Sequence, residues 1–394
     1  MLSSQVPGSY SPEFIRITVK KMKSIKVVFV AAVAAGLVLG GCSLSKQQED
    51  KSKQPIKIGV SACLSGEAAS YGEAFAGGAE LAAKEINDAG GVNGQQLKLI
   101  LEDDKCNPAD GVTVFQKLIN IDGVTAIVGP LSSAAAGSAV SVAQSASVPV
   151  ILAGATAPDL TQGRDYIFRN IPSDSLQGRF TADFIYSQLG KKKVALLYVL
   201  NAYGSAIQAV FEKRYKELGG EVVYSEGVMQ DARDLRTQLL KAKSAEPEAL
   251  YLPLYPQSGL VALGQIKEIG WDVPIIGGEP FSGQDFLDLP AASGVMATQP
   301  KSNNPADFQQ RVKEVTGRSA NLYTPFAYDA VKILASVMKK VGTDRKAIRD
   351  ELAKTVYRDS IAVPVVEFDE QGDLKSAEFE VKVIKDGGLV DYKE

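Results

Sequence analysis

The chain of 394 residues contains no histidine. That absence removes the commonest general base, the usual serine and cysteine triads, and zinc sites built with imidazole. Cysteine is scarce, at three residues. No phosphate-binding loop with its Lys and Ser/Thr is present. The net charge is only -3 with both signs dispersed, so nothing resembles a nucleic-acid surface. The apolar run at 27–39 is too short to span a membrane. What is left for chemistry is carboxylate, hydroxyl, Lys and Tyr. That inventory favours a binder over a hydrolase, and neither a metal nor a cofactor is expected.

The length and the ordinary apolar and charged fractions, 45% and 23%, suit a soluble protein of two domains. The most informative stretch is 123–160, GVTAIVGPLSSAAAGSAVSVAQSASVPVILAGATAPDL. Two short apolar runs, 124–128 and 148–152, each lead into a Gly and small hydroxyl residues, with an Ala/Ser/Val helix between them. That is half of an open α/β sheet, in which ligands bind outside the carboxyl ends of the strands. Leu131, Ser132 and Ser133 after one strand, and Gly154, Ala155 and Thr156 after the other, therefore face one crevice. Helix-terminal N–H groups there suit a carboxylate, and the Ser133 and Thr156 hydroxyls can join them. Taken singly, Ser133 could equally cap its helix and Thr156 stabilise a turn.

The N-terminal region is read in three parts. Residues 1–21 precede Met22, which looks like the true start, and Lys23 and Lys26 open a secretory signal whose apolar run ends at LGGC. Gly40 and Gly41 before Cys42 resemble a bacterial lipobox, which would make Cys42 the lipidated first residue. Residues 1–42 are thus leader and signal, and polar residues 43–54 are a flexible tether.

From residue 55 strands and helices alternate in two similar series, the pattern of two doubly wound lobes. Lobe one is expected at 55–173 plus 301–359, and lobe two at 174–300 plus 360–394. Three crossings between them make a hinge with a cleft between the lobes. The stretch 362–388 reads as a β-hairpin turning near Gly372. Cys63 and Cys106 follow the first two strands, and outside the cytoplasm they are expected to pair.

The segments LSGEAASYGEAFAGGAELAAKEINDAGGVNGQQLKLILEDDKCNP, GPLSS, GATAPDLT, NAYG, YPQSG, IIGGE and AYDA together resemble the type I periplasmic solute-binding proteins of ABC transporters. The likeness is to the leucine-isoleucine-valine binding group and covers nearly all of 55–388. It implies that Ser133 contacts a ligand α-carboxylate and that Gly154 and Thr156 form a turn holding carboxylate and amine. Tyr71 and Leu131 would line the lobe-one wall, with Tyr203 coming from lobe two. Glu279 would meet the ligand ammonium, a role that also fits an acid at a strand's carboxyl end opposite the anion site. Two positions depart from the family pattern. Leu254 stands where a wall Tyr is common, with Tyr255 one place later, and Ser132 replaces the family's second disulfide cysteine.

The resemblance implies a monomeric, lipid-anchored, extracytoplasmic receptor that delivers an amino acid to ABC permease and ATPase subunits, with no enzymatic activity. A receptor for another small carboxylate or amide, a signalling sensor, or an enzyme working through Tyr, Lys or carboxylates remain alternatives.

Overall fold

The computed structural model describes residues 54–66, 68–302 and 305–393. The expected signal, the lipidation site Cys42 and almost all of the tether lie outside them. No helix among the described residues is long and apolar enough to cross a membrane.

The first lobe is built from β1 (Ile56–Ala62), α1 (Ala69–Asp88), β2 (Leu97–Asp103), α2 (Pro108–Lys117), β3 (Ala126–Val128), α3 (Ser133–Ser145), β4 (Val150–Leu152) and β5 (Ile167–Arg169). Its strands form one parallel sheet in the order β2-β1-β3-β4-β5. Helices cover both faces, so β3, β4 and β5 are wholly buried and read as continuous apolar runs. The order reverses between β1 and β3, and the crevice opens there.

The second lobe begins with α4 (Asp174–Asp183), which packs on it, and continues through β6 (Lys193–Val199), α5 (Ala202–Glu217), β7 (Glu221–Val228), α6 (Arg236–Ser244), β8 (Ala249–Leu252), α7 (Pro256–Glu268), β9 (Ile275–Gly277), the short α8 (Gln284–Leu287) and β10 (Met296–Pro300). Its parallel strands repeat the first lobe's order as β7-β6-β8-β9-β10. The site loops are equivalent in both lobes: they follow the first, third and fourth strands of each series.

The chain then returns to lobe one with α9 (Phe308–Thr316), α10 (Thr324–Val341) and α11 (Arg345–Leu352), whose apolar faces join the core over α1. A two-stranded ladder follows, β11 (Val356–Tyr357) with β12 (Val366–Glu367). Finally β13 (Phe379–Lys385) and β14 (Gly388–Asp391) add two antiparallel strands to lobe two beside β10.

Two expectations are corrected here. The last crossing lies well beyond residue 359, because Ala362, Val363, Val366, Phe368 and Leu374 are buried in the lobe-one core. Long-range contacts hold that segment. The Asp329 carboxylate accepts from Ser360 Oγ at 2.6 Å and from the N–H groups of Ile361 and Ala362. The buried Arg169 guanidinium binds Asp373, and Arg169 N–H donates to Gly372 O at 2.8 Å. Gly372 does sit in a turn, at φ 76°, but the turn closes only the Phe368–Leu374 bridge. The long hairpin expected over 362–388 does not form: β13 pairs with β10 and β14, and its turn is at Asp386 and Gly387.

Cys63 and Cys106 are bonded in the structure, with Cα atoms 5.1 Å apart at the ends of β1 and β2. Beside them Asp104 accepts from Ser61 Oγ and Cys106 N–H. This is the one metal-ligand cluster among the described residues, and its sulfurs are engaged in the bond.

Candidate ligand-binding cleft

Loops from both lobes line a small cavity of about 40 Å3. Lobe one contributes Tyr71, Leu131, Ser132, Ser133, Gly154 and Thr156; lobe two contributes Tyr203, Tyr255 and Glu279. All nine had been singled out from the sequence. Two others are placed elsewhere. Leu254 is fully buried in the lobe-two core, and Ala155 is fully buried in the apolar layer between the first sheet and α2 and α3. The strand β8 ends at Leu252, and Tyr255, at the start of α7, takes the wall position and stacks on Tyr203 with ring centroids 5.5 Å apart. Reading Leu254 as the wall residue was off by one because an ungapped comparison carries no information about where β8 stops.

Sequence reasoning missed Ala68, Cys106, Pro256, Pro280 and Tyr323, which also line the cleft. Tyr323 precedes α10, far along the chain, and its own neighbourhood gives no sign of the cleft.

The two serines divide the work at the start of α3. Ser132 is the N-cap, its Oγ accepting from Ala135 N–H at 3.2 Å. Ser133 is thereby free to reach across, and its Oγ accepts from the N–H groups of Thr156 and Ala157 at 3.0 and 3.1 Å. Those two amides are thereby taken by Ser133. With both acceptor positions filled, the Ser133 hydroxyl has only its proton left, so toward the cleft it is a donor. The N–H of Ser133 opens the helix and has no intrahelical partner. Gly154 is needed for this approach, since a Cβ there would come within 2.6 Å of the Leu131 carbonyl oxygen.

The opposite pole is Glu279, just beyond β9 and only 3% exposed. Burial pushes its carboxyl up to about 7, while the Gln177 amide and the hydroxyls of Tyr203 and Tyr323 pull the other way. Tyr203 Oη donates to Glu279 Oε2 at 3.3 Å. A Cβ on Gly278 would lie 2.4 Å from that hydroxyl, so only glycine at 278 lets Tyr203 lie across the backbone beside its acceptor. Burial likewise raises Tyr71, Tyr203 and Tyr323 well above the ordinary phenol, and all three are neutral. The cleft is therefore a short aromatic and aliphatic tunnel with hydroxyl and amide donors at one end and an acid at the other. No Lys or Arg lines it among the described residues.

The lobes are closed over this space. Tyr71 Oη donates to Pro280 O at 2.6 Å, and Ser70 Oγ donates to Asp285 Oδ2 at 3.0 Å. Two doubly wound lobes meeting over a small bipolar cavity define a cleft-type solute receptor. Residues 55–387 match the family described as periplasmic binding protein, and the chain belongs to that family, in its type I leucine-isoleucine-valine group. The chain is 31% identical over 340 residues to the leucine-, isoleucine-, valine-, threonine- and alanine-binding protein of Pseudomonas aeruginosa, covering 83% of this chain and 89% of that one. In structure it is similar to the branched-chain amino acid transporter substrate-binding protein LivJ of Streptococcus pneumoniae in complex with isoleucine. That match has a TM-score of 0.77 and 29% identity over 86% of this chain and 100% of the other. A leucine-binding protein of Thermotoga maritima gives a TM-score of 0.79 at 25% identity, over 86% and 98%.

Proposed function

We propose that this chain captures an aliphatic amino acid, branched-chain ligands above all, and presents it to the permease of an ABC transporter outside the cytoplasm. The observation carrying this reading is the opposition of poles: the Ser133 hydroxyl and the α3 N-terminus from one lobe, the Glu279 carboxyl from the other, across a wall that holds no Lys or Arg among the described residues. A zwitterion satisfies both ends. A simple carboxylate leaves the buried Glu279 without a counter-charge, which is unfavourable. Leu131, Pro256, Pro280 and the tyrosine rings offer an aliphatic side chain apolar contact without a new polar demand.

Capture follows from closure. The ligand binds lobe one first, through Ser133 and the Thr156 turn, and Glu279 and Tyr203 then reach it only in the closed form. Its affinity for the closed form over the open one sets how far it shifts the population. Lipidation at Cys42, a 43–54 tether and a monomeric receptor belong to the same proposal, supported by the sequence pattern. The relatives are binding proteins, and no reaction is ascribed to the cleft.

Thermal-shift screening of the twenty amino acids and a panel of small organic acids tests the reading. Leucine, isoleucine or valine should raise the melting temperature in a concentration-dependent way. A response to organic acids alone would transfer the function to the carboxylate alternative.

A further inference from the structure

The first turn of α1 carries two of the contacts that close lobe one onto lobe two, Ser70 Oγ on Asp285 and Tyr71 Oη on the Pro280 carbonyl. That turn is weakly built. Its N-cap is Ala68, no side chain caps it among the described residues, and no acid stands in it to meet the helix dipole. A helix end of this kind frays, so Ser70 and Tyr71 need support from outside the helix to stay where lobe two can reach them.

The support comes from the end of β2. Cys63 lies directly against the turn: a Cβ on Gly72 would fall 1.9 Å from the Cys63 carbonyl oxygen, so only glycine lets helix and loop meet there. Cys63 is completely buried and does not line the cleft, but it is bonded to Cys106, which does. Asp103 adds polar ties to the same loop, accepting from Leu64 N–H at 2.9 Å and from Ser65. Its bonds to Ser65 are exposed, where water competes for them, whereas the disulfide is buried and covalent.

We propose that the Cys63–Cys106 bond positions the first turn of α1 as the lobe-one half of a closing latch, and so sets how long a bound solute is kept. This rests on the amino-acid reading above and deepens it. Cys63 is a positioning residue: it acts through the backbone at Gly72 and hence through Ser70 and Tyr71. Further along, α1 is pinned independently by α10, where Gly78 packs so closely that a Cβ would lie 2.1 Å from the Thr324 carbonyl oxygen. Loss of the disulfide therefore frees the first turn and leaves the rest of the helix in place.

Cys63→Ser and Cys63→Ala in the intact protein, studied well below their melting temperatures, test this. Without ligand, amide hydrogen exchange should speed up at least about tenfold over 64–72 and change less than about twofold over 78–88. Acceleration spread evenly along α1, or none, would make the bond a general staple and overturn the proposal. In stopped flow, release of L-leucine should quicken about fivefold, the effect of losing one buried hydrogen bond. In a Ser70→Ala/Tyr71→Phe background the same Cys63 change should alter release by less than about twofold, because the latch is already gone. Full additivity of the two changes would overturn the proposal. If L-leucine, L-isoleucine and L-valine all fail to bind the parent, the amino-acid reading falls, and the exchange pattern alone decides whether the bond positions the turn.

Discussion

Tyr71 of lobe one and Pro280 of lobe two are joined by a buried hydrogen bond of 2.6 Å, the phenol donating to the carbonyl. The bond exists only when the lobes are closed, and a Cβ at Gly283 would lie 1.8 Å from the same hydroxyl, so the surrounding backbone is shaped to receive it. Tyr71→Phe keeps the ring and deletes the bond. Removing a buried hydrogen bond of this kind costs about 1 kcal/mol. Calorimetry should show ligand binding weakened about fivefold, and stopped-flow traces should show faster release. Unchanged release would mean that this contact takes no part in holding the lobes closed.

Glu279→Gln removes the acidic pole while keeping its shape. Breaking a buried charge pair costs about 2–5 kcal/mol, so amino-acid affinity should fall by roughly 30-fold or more. The unliganded variant should melt no lower than the parent, since burial disfavours the native charge. Unchanged affinity in calorimetry would remove Glu279 from the site.

The pH dependence of the empty protein's stability should run opposite to that of a typical carboxylate. Glu279 is raised to about 7, and Asp104 and Asp329 to about 6, in each case first by burial. For these groups the folded state binds protons more tightly than the unfolded chain. Their stabilisation is complete below the unfolded values near 4 and is lost as pH rises to about 7. Carboxylates held low by surface partners, such as Glu85 and Asp103, are already ionised in this window and do not oppose the trend. The melting temperature of the unliganded domain should therefore fall between pH 5 and 7.5. A steady rise over that window would contradict the assignment.

The Cys63–Cys106 bond closes a loop of 43 residues around α1 and β2. A cross-link of that span stabilises by about 2–4 kcal/mol. Cys63→Ser should lower the melting temperature, and the mature parent domain, denatured without reductant, should show no free thiol. Two titratable thiols would refute the pairing.

How far the sequence reveals the fold differs from element to element for physical reasons. The strand IKIGVSA and the helix at 324–341 are plain in the sequence, because each has an unbroken apolar pattern and clear punctuation. The apolar runs at 124–128 and 148–152 were read two residues too long at their starts: Val124 and Val148 are buried, but the ladder begins at Ala126 and Val150. Burial is written in composition, whereas pairing depends on the neighbouring strand. Ser133, Thr156 and Glu279 were legible because they follow strand ends, where the fold exposes them to the crevice. Tyr323 was not, because its place in the cleft is produced by the meeting of the lobes. The 360–374 segment was assigned to the wrong lobe because Asp329 and Arg169, distant in sequence, hold it.

The central claim is that both poles of one solute are gripped at once, and ligands lacking a pole test it most directly. Calorimetry should be run with L-leucine, with 4-methylpentanoate, which lacks the ammonium, and with 3-methylbutylamine, which lacks the carboxylate. Leucine should bind, and each single-pole analogue should bind at least about 100-fold more weakly, since each leaves a buried polar group unpaired. An analogue binding as tightly as leucine would show that the pole it lacks is not recognised, and would contradict the account.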